Sequence, residues 1–185
     1  QEGGLKGADV NAVKAWDIHR GSSFHQIICG LVDTGVDFSH PDLKGIAWIN
    51  TGEIPGNGID DDENGYVDDV HGYDFANNRG KVEDDHGHGT HNASTMAATM
   101  GNGVGTTGLV SNLKVASLKF LRSSGGGYIS DAVEAINYAT AMGIPVTCNS
   151  WGGGGYSRSL KDAIEAAGEK GFLFVAAAGN RSKNL

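Results

Sequence analysis

The stretch Asp84-Asp85-His86-Gly87-His88-Gly89-Thr90-His91, running on into the small-residue segment from Asn92 to Met100, constrains this chain more than any other. Ala93, Met96, Ala97 and Met100 recur at i, i+3, i+4 and i+7, so a helix begins close to His88 and turns one face into a core. An imidazole then stands at a helix N-terminus. Glycines on either side of His88 leave its backbone room for a tight approach, and Thr90 is the expected N-cap. Taken alone, the motif fits a solvated histidine-rich turn or a metal site as well as it fits a catalytic one.

Two further stretches shift that balance. Ile27-Ile28-Cys29-Gly30-Leu31-Val32-Asp33 is an apolar run of strand length that ends on a carboxylate and is broken by Thr34-Gly35. Asp33 is thereby expected at the carboxyl end of a buried strand, where open parallel sheets hold their active sites. The run from Phe172 to Ala178 is a second buried strand, ending in Gly179 and the hydrogen-bonding side chain of Asn180. Asp, His and Asn thus all stand at element ends.

The rest of the chain alternates between the two periodicities. Val10, Val13 and Trp16 mark a short helix, 47–50 a short strand, and 113–121 an apolar strand. A helix capped by Ser130 carries Val133, Ile136 and Tyr138 to Met142; a strand follows at 144–148; a helix capped by Ser157 or Ser159 carries Leu160, Ala163, Ile164 and Ala167. Alternation of this kind predicts an α/β fold, a doubly wound and mainly parallel sheet with helices on both faces. At 185 residues the expectation is a single domain, 1–185. A net charge of −8 argues against nucleic acid or an anionic membrane surface as a partner. No apolar run approaches the roughly 20 residues of a membrane-spanning helix. Cys29 and Cys148 lie in apolar strand segments and are expected as buried free thiols.

One loop is of different character. Asp60-Asp61-Asp62-Glu63-Asn64-Gly65-Tyr66-Val67-Asp68 reads D-x-D-x-N-G-x-x-D, the oxygen-ligand spacing of an EF-hand-type calcium loop. His71 stands where the bidentate Glu would be and no flanking helix pair is evident. The expectation is a Ca2+ loop of related spacing held by Asp60, Asp62, Asn64, Tyr66 and Asp68, with a solvated acidic loop as the alternative.

Val32-Asp33-Thr34-Gly35-Val36-Asp37, His40-Pro41-Asp42-Leu43, His88-Gly89-Thr90-His91, Asn149-Ser150-Trp151-Gly152 and Ala176-Ala177-Ala178-Gly179-Asn180 together resemble the subtilisin-like serine proteases, in that family's order and at similar spacings. The resemblance implies a serine endopeptidase working through an Asp-His-Ser triad. Asp33 would orient and charge-stabilise the imidazole, His88 would be general base and then acid, and the Asn180 amide would donate to the oxyanion. His86 competes with His88 only by proximity. The resemblance also implies a peptide or protein substrate paired as an added strand between Gly125-Gly126-Gly127 and Ser150-Trp151-Gly152. It further implies a second structural Ca2+ at Asp42 and Asn102, with Glu2 as a third ligand, an inhibitory propeptide, and a secreted or exported location. The family's Gly-Thr-Ser-Met-Ala nucleophile segment does not occur in residues 1–185. The chain therefore resembles the first two-thirds of a catalytic domain, with the fold incomplete at its C-terminus. Inactivity on its own and a remaining C-terminal part as partner are the corresponding expectations. Asn92-Ala93-Ser94 departs from the family's Val-Ala-Gly at the same place. A catalytically inactive protease-fold binding protein and a calcium-dependent structural module remain as other readings.

Overall fold

The computed structural model describes residues 7, 9–18 and 26–180. Its centre is a 5-stranded sheet of order β2-β3-β1-β4-β5 in which every pairing is parallel. The strands are β1 (Ile27–Asp33), β2 (Gly72–Asp74), β3 (Leu113–Lys119), β4 (Val146–Asn149) and β5 (Leu173–Ala176). The helices are α1 (Ala12–Ile18), α2 (His88–Ala97), α3 (Ile129–Ala141) and α4 (Arg158–Glu169), with a 3-10 turn at Pro41–Leu43.

The sheet is covered on both faces, which is why β1 is a near-continuous apolar run and β3 has buried apolar residues on both its faces. Successive residues along a strand point to opposite faces. Leu31 and Val115 accordingly pack against Ala93 and Ala97 of α2, while Val32, Ala116 and Leu118 pack against Ala132, Ala135 and Tyr138 of α3. α4 lies beside α3, where Ala163 and Ala167 meet Ile136. This is the doubly wound α/β arrangement expected from the alternation of periods.

The differences from expectation are local. The segment 47–50 is not a strand; it makes a single bridge, Ala47 to Val115. Asn50 instead gives its amide to Asp62 and Asp69 and draws the chain into the acidic loop. β2 had no apolar pattern to announce it. Thr90 does not cap α2, whose N-cap is Gly87, and Tyr128 rather than Ser130 precedes α3. Ser157 caps α4 through its hydroxyl, as expected. Cys29 and Cys148 are free, and burial pushes the Cys29 thiol up to about 12.

Candidate active site

In an open parallel sheet the crevice forms at the carboxyl ends of the strands, where the strand order reverses. Here chain order reverses at β1, flanked by β3 and β4. β1 ends on Asp33, β3 on Lys119 and β4 on Asn149, so these ends and the loops after them converge on one edge.

The first turn of α2 is brought onto that edge by backbone packing. Gly87 takes a φ of 95°, a left-handed conformation that glycine adopts without strain. At Gly89 a Cβ would lie 2.1 Å from the Gly35 carbonyl oxygen, so only a residue without a side chain lets α2 reach the turn after β1. Asp84 closes the junction. Its carboxylate accepts from the amides of His86, Gly87 and Thr90 and from the hydroxyls of Thr34 and Thr90. Burial pushes the Asp84 carboxyl up, but hydrogen bonds from the Thr90 hydroxyl and the Gly87, Thr90 and His86 amides outweigh that and hold it below the usual range. Thr34 Oγ1 in turn accepts from the Gly89 amide.

This geometry sets His88 Nδ1 2.7 Å from Asp33 Oδ1, with the Asp33 side chain 0% exposed and the His88 side chain 42% exposed. In a neutral imidazole a carboxylate oxygen at that distance places the hydrogen on Nδ1 and leaves Nε2 with its lone pair free, the tautomer a general base needs. Asp33 also accepts from the Thr34 amide on Oδ1 and from the Asn92 side-chain amide on Oδ2. Behind it the fully buried ammonium of Lys119 donates to the carbonyls of Thr34 and Leu121 and to Asp85, tying the ends of β1 and β3 together. His86 lies beside His88 with ring centroids 6.2 Å apart; among the described residues the donors on the Asp33 carboxylate are Thr34, His88 and Asn92, and His86 is not one of them.

His88 lines a cleft of about 450 Å³. Gly125, Gly126 and Gly127 form one wall and Ser150, Trp151 and Gly152 the other. Asn180 is the last described residue; it follows β5 on the same carboxyl edge of the sheet, is exposed, and does not line the cleft.

The acidic loop lies apart from this edge. Carboxylate oxygens of Glu53, Asp60 and Asp62 lie within 4.8 Å of one another. Glu53 is buried and accepts from the amides of Asp61, Asp62 and Asp68. The other residues expected to hold the ion make the following contacts. Asp68 accepts from the amides of Gly56, Asn57 and Gly58, and Asn64 accepts from the Tyr66 amide on Oδ1 and donates from Nδ2 to Asp62 and Asp69. The Tyr66 ring packs edge-on against Tyr73, Phe75 and Tyr138. At Asp42 the Thr106 amide and the Asn102 side-chain amide hold the carboxyl below its ordinary value, while Asn102 Oδ1 accepts from Val104. Glu2 lies outside the described residues.

Comparison with known proteins decides the lineage. Residues 25–185 match the model of the subtilase family. This chain belongs to the subtilase family. Subtilisin-like protease 1 of Plasmodium berghei is 35% identical over 156 residues, 84% of this chain and 26% of that protein. The thermophilic serine proteinase of Bacillus sp. AK1 is 34% identical over 92% of this chain and 36% of its own length. Thermitase of Thermoactinomyces vulgaris is 33% identical over 92% of this chain and 52% of its own. The crystal structure of a cold-adapted subtilisin-like serine proteinase superposes with a TM-score of 0.61 at 27% identity, covering 83% of this chain and 46% of that one. The chain thus spans about a quarter of the first of these relatives and about half of the last.

Within this subtilase the structure adds residues that sequence reasoning passed over. Asp84 caps the helix from outside it, and the signal was its place just before the His-Gly turn. Lys119 reads as an exposed end of an apolar run until β3 is paired on both sides. Glu53 sits in an unpatterned segment. Asn92 stood out only as a departure from the family motif.

Proposed function

We propose that this subtilase chain supplies the orienting carboxylate, the general base and one oxyanion donor of a serine endopeptidase. The observation that carries this reading is the 2.7 Å pairing of a fully buried Asp33 carboxylate with a His88 imidazole that opens onto the cleft. His88 takes the proton from a serine hydroxyl as that oxygen attacks the peptide carbonyl, and later returns it to the leaving amine. Asp33 holds the tautomer and stabilises the imidazolium. Asn180, at the end of the strand two places from β1, donates to the oxyanion together with a backbone amide. The nucleophilic serine stands outside residues 1–185. A peptide substrate lies extended between Gly125–Gly127 and Ser150–Gly152, where missing side chains leave the walls open.

An all-oxygen donor set at Glu53, Asp60 and Asp62 suits Ca2+, a hard cation. Those residues would hold it, and the ion would neutralise the crowded carboxylates as a structural element remote from the chemistry. An inhibitory propeptide and an exported location accompany the same reading.

The test is labelling of the purified enzyme containing this chain with a fluorophosphonate, read by intact mass under denaturing conditions. One label on a serine, lost on His88→Ala, is the expected result. Absence of any label, or labelling that survives His88→Ala, overturns the reading in favour of a protease fold that only binds.

A further inference from the structure

Asp33 has two carboxylate oxygens, and the structure uses them differently. Oδ1 accepts from the Thr34 amide and from His88 Nδ1, each at 2.7 Å. Oδ2 accepts from Asn92 Nδ2 at 3.0 Å. Rotation about the last bond of an aspartate side chain is broad and soft. Without a donor on Oδ2, the carboxylate is free to turn and weaken the contact at Oδ1.

We propose that Asn92 is a positioning residue for the pair, fixing Oδ2 so that Oδ1 stays on His88 Nδ1. This deepens the protease reading above and rests on it. His88 and Asn92 are i and i+4 on α2 and so share one helix face. One rigid helix therefore presents two donors to the two oxygens of one buried carboxylate, which fixes the orientation of both groups. The Asn92 amide has its nitrogen towards Asp33 because the opposite orientation would set its carbonyl against the carboxylate. Its nitrogen also lies 3.4 Å from His88 Nδ1; with both nitrogens donating to Asp33, that approach is a packing contact. Asn92 is half-buried and does not line the cleft, so its effect falls on the chemical step and not on substrate binding.

The experiment compares wild type, Asn92→Leu, Asn92→Gln and His88→Ala in the enzyme containing this chain. Leu keeps the bulk and removes the donor; Gln returns an amide on a longer arm. Two quantities are read: peptide-hydrolysis kinetics, and the His88 tautomer from imidazole nitrogen shifts of histidine-labelled protein, assigned by the signal missing in His88→Ala. For Asn92→Leu, kcat falls about ten- to a hundredfold, the range of one hydrogen bond to a charged group. KM stays constant and the Nδ1–H tautomer loses population; Gln recovers part of both. An unchanged kcat or an unchanged tautomer in Asn92→Leu overturns the proposal, as does a loss confined to KM. If wild type and His88→Ala are equally inactive, the protease reading fails instead, and the tautomer alone decides whether Asn92 positions the pair.

Discussion

Asp33 and Glu53 are both buried carboxylates, and the partners each one keeps separate chemistry from architecture. Asp33 faces an imidazole, which keeps its hydrogen on the nitrogen bonded to Asp33 while the other nitrogen can accept a proton and return it. Glu53 accepts from backbone amides of the acidic loop, which donate hydrogen bonds but do not give up protons at neutral pH. In the proposed reading the same side-chain chemistry thus makes a reactive pair at one place and a loop tie at the other. What distinguishes them is whether the partner can carry a mobile proton.

Removing the mobile partner breaks that contrast most severely. His88→Ala in the active enzyme lowers kcat by about 10⁶, and Asp33→Ala by about 10⁴, magnitudes taken from subtilisin itself, a member of this family. Thermal melting with and without calcium stays where it was; a comparable loss of stability would make His88 structural. Next comes the contact that brings the pair together. Gly89→Ala forces a Cβ against the Gly35 carbonyl and costs roughly 3 kcal/mol by denaturant unfolding, with activity falling in parallel.

At the other site the signs reverse. Glu53→Gln sets an amide against donor N–H groups and costs about 2 kcal/mol. It also abolishes the rise in melting temperature expected on adding calcium if the proposed ion is held at this cluster, while kcat at saturating substrate is unchanged. A variant that lost activity without losing stability would erase the distinction between the two carboxylates. The smallest effect concerns acid. Asp84 titrates below its ordinary value in the fold, so it stabilises at pH above the normal aspartate pKa of about 3.9 and that contribution disappears as pH falls through the folded value. Asp84→Asn therefore flattens the fall in melting temperature below about pH 4 and leaves the slope at neutral pH untouched.

How much of this was legible in the chain depended on whether the signal was local. Asp33 ends a run of β-period apolar residues and His88 begins a run of helical period, so each could be placed on its element from its neighbours alone. β2 could not, because Gly72-Tyr73-Asp74 is too short to carry a period and is recruited by pairing with Ser117 to Lys119 of β3. The cap of α2 was misplaced because Asp84 acts across a glycine turn, where the donors come together only after the turn has formed. In the acidic loop the spacing pointed to Asp60 and Asp62 but gave no sign of Glu53, which arrives from earlier in the chain to join their cluster, nor of the backbone amides of 56 and 58 that donate to Asp68. Long-range closure is what sequence spacing omits.

Gly89 carries a further implication for how such a site tolerates change. Where it meets Gly35 the separation between α2 and β1 is set main chain to main chain, with no side chain interposed. That contact sets a floor under the approach of α2 to β1, whatever side chains pack beneath the helix.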